Sequence, residues 1–134
     1  MVTELKQQAT MQRASSPDEM KKISNSFHGT SVGFVPTMGH LHKGHMSLIK
    51  KSLSTCNHTV VSIFVNPIQF GPNEDLDIYP RDLERDIEKL ESAGVDVLFQ
   101  PQRETIYPKE FKTYVQVDEI TDQLCGKSRP GLFK

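Results

Sequence analysis

Three of the five histidines fall within ten residues, Pro36-Thr37-Met38-Gly39-His40-Leu41-His42-Lys43-Gly44-His45, alongside two glycines. Three chemistries could use such a run. His40, His42 and His45 form an HxHxxH set, and imidazole is a good zinc ligand. The run holds no cysteine or acidic residue to complete such a site, and no metal ligand is assigned. An anion accounts for more of the residues. Gly39 and Gly44 lack a Cβ, so the backbone can approach a bulky ligand. A helix beginning near Gly44 aims its unpaired N–H groups outward. His42 and His45, three positions apart at that helix start, project to one side. Imidazole N–H groups there can donate to phosphate oxygens, with most effect where charge builds up in a transition state. Such a site needs no protein nucleophile; its donors hold a polyphosphate while another group attacks it. A histidine-rich surface turn is the plain alternative.

The elements around the run must place it. The chain has 134 residues, 36% of them apolar and 25% charged, with a net charge of −1. That length suits one domain with a real core. The charge balance gives no footprint for nucleic acid and no basic run for an anionic membrane. No apolar stretch is long enough to span a bilayer, and the polar start MVTELKQQAT lacks the apolar segment of a signal peptide. Cys56 and Cys125 stand far apart without a CxxC, which suggests free thiols in a reducing, cytoplasmic setting.

Along the chain, residues 1–10 read as a flexible lead-in and ATMQRASS as a short strand. Ser16, Pro17, Asp18 and Glu19 open a helix as N-cap, first helical residue and acidic first turn, with Met20, Ile23 and Phe27 as its apolar stripe and Gly29 as its stop. SVGFVP predicts a buried strand over about residues 31–35. GHMSLIKKSLST predicts a helix with Leu48, Ile49 and Leu53 facing inward. HTVVSIFVNP is nearly continuous in β-branched and aromatic residues, as in a parallel sheet buried on both faces. PRDLERDIEKLESAG predicts a helix with Leu83, Ile87 and Leu90 on one stripe, its charges on a solvated face and Gly94 as its stop; VDVLFQP is the next strand. The alternation implies an α/β fold, a parallel sheet with helices on both faces. The histidine run then sits past the carboxyl end of a strand, where such sheets bind ligands.

His42-Lys43-Gly44-His45 matches the HxGH signature shared by nucleotidyltransferases and class I aminoacyl-tRNA synthetases. The longer strings VGFVPTMGHLHKGHMSLI, VVSIFVNPIQFGPNEDLDIYPRDLERDIEKLESAGVDVLF, IYP and LCGKSRPG together resemble the pantothenate synthetase (pantoate–β-alanine ligase) family, in order, over about residues 11–134. The resemblance implies a Rossmann-like nucleotide-binding domain, of which residues 11–134 are the N-terminal part, and a smaller C-terminal domain. It implies adenylation of pantoate by ATP with Mg²⁺, attack by β-alanine to give pantothenate, and a cytoplasmic homodimer. Carried across, Pro36, Thr37, Met38, Gly39, His40, Leu41, His42, Lys43, Gly44 and His45 line the ATP site. His45 is the proton donor and His42 its partner on the phosphates. Gln69 binds pantoate, Asn66 shapes that pocket, and Tyr79 lies in a wall over the site formed by a long polar loop.

Two residues depart from the pattern: His40 replaces a small residue, and Leu132 stands where histidine is usual. The resemblance also implies a further half of similar length carrying a lysine, a second pantoate-contacting glutamine and a loop that closes on the nucleotide. The 134 residues alone are therefore expected to be inactive or nearly so. Their first apolar strand is expected to be a bare, association-prone edge. Another HxGH nucleotidyltransferase and a non-catalytic nucleotide-binding module are the competing functions.

Overall fold

The computed structural model describes residues 10–70, 82–113, 119 and 125–128. The lead-in, Tyr79 with most of its polar loop, and the Arg129 to Leu132 segment lie outside the described residues. Within them the order is β1 (Gln12–Ala14), α1 (Pro17–Asn25), β2 (Val32–Thr37), α2 (Lys43–Thr55), β3 (His58–Ile63), a 3₁₀ turn (Pro67–Gln69), α3 (Leu83–Ala93), β4 (Val97–Phe99), α4 (Arg103–Ile106) and α5 (Cys125–Ser128).

The strands form one parallel sheet in the order β1-β4-β3-β2. The chain steps from β2 to β3 to β4 in one direction, so right-handed crossovers put α2 and α3 on the same face. The step from β1 to β2 runs the other way, which assigns α1 to the opposite face. The α/β expectation is met, and even the three-residue β1 is present.

β3 is buried along almost its whole length, as its unbroken apolarity predicts for a strand with two neighbours. Val35, Val61 and Leu98 face Ile49, Leu90 and Val95, and Met46, Leu53 and Ile87 pack around them. Gly33 lies against α2: a Cβ there would stand 1.9 Å from Ser52 Oγ. That close approach brings α2 down onto the sheet, where Ser52 Oγ and Thr59 Oγ1 share a buried hydrogen bond of 2.7 Å.

Several details differ from the sequence reading. Strand β2 runs on through Pro36 and Thr37. It is an end strand among the described residues, and proline is tolerated at an edge because no outer ladder bond is lost. Leu48 is 57% exposed rather than inward, because Met46, Ile49 and Leu53 already form the buried stripe and Leu48 lies well round the helix from it. Helix α1 buries no residue; it stops at Asn25 with Ser26 as its C-cap, ahead of Gly29, and Phe27 stacks on His58 at 3.9 Å between ring centroids. No helix among the described residues is long and apolar enough to cross a membrane.

Val32 and Phe34, on the face of β2 away from α2, are 44% and 58% exposed. Among the described residues β2 is thus an end strand with apolar side chains exposed on one face.

Candidate functional site

Thr37 ends β2, and the chain turns sharply before α2. Thr37 Oγ1 donates to the Ser62 carbonyl at 2.8 Å and accepts from Gly39 N–H at 3.2 Å, tying the turn to β3. Gly39 and His40 both take left-handed backbone angles, with φ of 86° and 54°. For His40 that conformation costs about 1–2 kcal/mol. Leu41 drops into the core at 3% exposure, and His42 becomes the N-cap of α2.

The helix start is built by the two histidines themselves. His42 Nδ1 accepts from Gly44 N–H at 3.1 Å, and His45 Nδ1 accepts from His42 N–H at 3.3 Å. The two rings lie 4.0 Å apart between centroids, tilted by 42°. His42 is exposed and His45 half-buried, so the pair opens to the surface as the spacing predicts. An imidazole that accepts at Nδ1 carries its neutral-state proton on Nε2. Both rings therefore keep an Nε2–H as a donor after capping the helix. Burial holds the His45 pKa below the usual histidine value; a charge on His42 lowers it further, and Asp86 opposes both.

Gly44 owes its place to this cap. A Cβ there would come within 2.9 Å of His42 Cε1, so any larger residue pushes the ring aside. Gly39 is also closely packed: it is buried, a Cβ would meet Asp86 Oδ2 and Ile63 Cγ2, each at 3.3 Å, and it borders a cavity.

Asp86 is the residue the sequence did not single out. It sits on α3 among charges assigned to a solvated face, yet it is 2% exposed. Its Oδ2 accepts from His40 N–H at 2.7 Å and its Oδ1 from Leu41 N–H at 2.8 Å. Lys89, one turn on, donates to the Leu41 carbonyl and stands 3.9 Å from Asp86 Oδ1. Hydrogen bonds to a charged group contribute about 1.5–3 kcal/mol each, enough to offset the left-handed strain at His40. One signal for Asp86 was available: it lies one position before Ile87 and four before Leu90, at the border of the apolar stripe.

Six residues of the run line two hollows, three in each; Gly44 and His45 line neither. Met38, Gly39 and His40 line a cavity of roughly 290 Å³ with Phe64, Gln100 and Arg103, past the ends of β3 and β4. Leu41, His42 and Lys43 border an open groove with Met46, Lys50, Arg85 and Lys89. Pro36 is exposed and Thr37 buried, both still within β2. Asn66 and Gln69 follow β3, the neighbour of β2. Asn66 Oδ1 accepts from Ile68 N–H at 3.2 Å and from the Tyr107 hydroxyl at 3.0 Å, so Asn66 also holds its own turn together. Gln69 is exposed at the end of that turn, and neither residue lines the Met38–His40 cavity. Among the described residues no group of three or more His, Cys, Asp or Glu could hold a metal ion.

The comparisons with known proteins agree with one another. The family model described as pantoate-beta-alanine ligase matches residues 11–134. The pantothenate synthetase of Acetivibrio thermocellus is 60% identical over 106 residues, which is 79% of this chain and 38% of that protein. That of Caldicellulosiruptor saccharolyticus is 58% identical over 87% of this chain and 41% of its own length. The crystal structure of the Thermus thermophilus pantothenate synthetase superposes with a TM-score of 0.81 at 46% identity, covering 92% of this chain and 44% of that one. The pantoate-beta-alanine ligase of Francisella tularensis, complexed with beta-gamma ATP and beta-alanine, gives 0.85 at 46% identity, covering 92% and 48%. The chain thus spans less than half the length of these relatives.

Proposed function

The chain belongs to the pantoate–β-alanine ligase family, and from that premise we propose that the whole protein condenses pantoate and β-alanine through a pantoyl adenylate formed from ATP. In the first step a pantoate carboxylate oxygen attacks the α-phosphorus of ATP and pyrophosphate leaves. In the second the β-alanine amine attacks the acyl carbon, AMP leaves, and the amide of pantothenate is made. Negative charge accumulates on the departing pyrophosphate, so the first step needs donors fixed in advance.

The observation that carries this reading is the histidine pair at the start of α2. Each ring spends its Nδ1 on the helix cap and keeps an Nε2–H. The first turn of α2 contains no acidic residue to compete for its N–H groups. In the proposed complex the triphosphate lies over this helix start. His45 donates a hydrogen bond from Nε2–H to the leaving phosphates, and His42 supports it. Residues 36–44 shape the rest of the cradle. Mg²⁺ enters with ATP, ligated by phosphate oxygens. Gln69 and Asn66 are assigned to pantoate, and Tyr79 to the wall over it. The reading includes a homodimer in the cytoplasm.

Pantoate-dependent exchange of pyrophosphate into ATP by the full-length protein tests this. Exchange is expected with pantoate and to be lost with other hydroxy acids. Equal exchange with unrelated acids would support a different HxGH nucleotidyltransferase, and ATP binding that is indifferent to His45 would support a non-catalytic module.

A further inference from the structure

Asp86 is a carboxylate with both oxygens committed to backbone, and both of those bonds lie just before the histidine pair. The peptide from His40 to His42 is gripped on three sides. Asp86 takes the N–H groups of His40 and Leu41, Lys89 takes the Leu41 carbonyl, and the Leu41 side chain is anchored in the core. The next residue is the N-cap, whose N–H fixes the His45 ring and whose own ring meets Gly44 N–H. No side chain on α3 touches the rings in any of these bonds; the hold is transmitted through two residues of backbone.

We infer that Asp86 is the positioning residue of the His42–His45 pair, holding the left-handed turn so that both rings cap α2 through Nδ1 and present Nε2–H outward, with Lys89 as its auxiliary. The inference deepens the proposed function and rests on it for its effect on rate, although its structural content does not. Asp86→Asn supplies only one acceptor for two N–H donors, so one must be left unpaired in a buried place or the turn must open. Misplacement of reacting groups by about 1 Å costs about 10²-fold.

Two readouts on the full-length protein test it. The first needs no activity: nitrogen NMR of the imidazoles. The wild type is expected to show both rings as the Nε2–H tautomer. In Asp86→Asn the His42 and His45 signals are expected to shift toward a tautomer mixture. The second is pantoate-dependent pyrophosphate exchange, expected to fall about 10²-fold in kcat with a much smaller change in the KM for pantoate. Lys89→Met, at a half-exposed position, is expected to move both readouts the same way by a smaller factor and guards against misfolding of the first variant. Unchanged tautomers in both variants would overturn the positioning role whatever the wild-type activity. A wild type without exchange, but with the tautomer shift in Asp86→Asn, would keep the positioning role and remove the ligase reading.

Discussion

Two helices of this chain open with the same device and different chemistry. At α1, Ser16 Oγ accepts from Glu19 N–H at 3.3 Å while the Glu19 carboxylate takes Ser15 and Ser16 N–H and the Ser15 hydroxyl. At α2 the reciprocal partners are His42 and His45. Both arrangements satisfy N–H groups that a helix start leaves unpaired. They differ in what remains. Glu19 is an acceptor only, and with Asp18 it places negative charge at the positive end of α1. The histidine pair closes the same gap with neutral acceptors, retains two donors, and leaves the first turn of α2 with no acidic residue of its own. One cap completes a helix; the other completes a helix and remains able to receive an anion.

Substitutions can break this contrast. The largest effect is expected from His45→Ala, which removes a donor from the leaving phosphates. Pyrophosphate exchange in the full-length protein should fall about 10²–10³-fold. Ser16→Ala, the matching change at α1, should leave exchange unchanged. Gly44→Ala is next. Alanine is favoured over glycine in helices by up to about 1 kcal/mol, which offsets a lost His42 cap of about 1 kcal/mol, so the stability of α2 should change little. Displacement of the His42 ring should nonetheless lower exchange about tenfold, a part of what a 1 Å shift costs. A rate loss without a matching loss of stability in denaturant melts would distinguish this from general damage.

Ser16→Ala should itself cost about 1 kcal/mol in chemical denaturation, or somewhat less because α1 buries no side chain. The smallest effect concerns protonation. His45 should titrate by NMR below the ordinary value of 6.5, and His42→Ala should move it back upward. A depressed histidine pKa means the folded chain binds fewer protons than the unfolded one. The associated stability is therefore complete above 6.5 and is lost as pH falls through the lower folded value. A His45 titration at or above 6.5 would remove the claim that it is neutral when the helix is capped.

Much of the fold was legible because its signals are local. The Ser16-Pro17 start, the Gly94 stop and the buried character of β3 each rest on residue types within a few positions of one another. The candidate site was half legible. The spacing of His42 and His45 foretold that the rings would meet on one side. It carried no hint that Nδ1 of each would be consumed by capping, nor that Gly39 would pack so closely on Asp86 and Ile63. Asn66 shows the limit from the other side. Its position past β3 was readable, while its bond to the Tyr107 hydroxyl, 41 residues away, was not.

By itself the sequence determined where helices and strands begin, that the sheet is parallel, and that a pair of imidazoles stands at one helix start. Those follow from capping groups, glycine and apolar period, which act within a turn or two of chain. Tertiary structure alone decided that Asp86 leaves the solvated face of α3 to hold a turn 45 and 46 residues earlier. It also decided that Leu48 faces outward and that β2 ends the described sheet. An acidic residue on an amphipathic helix looks the same in sequence whether it meets water or two backbone N–H groups; only the packing of α3 beside α2 makes the difference.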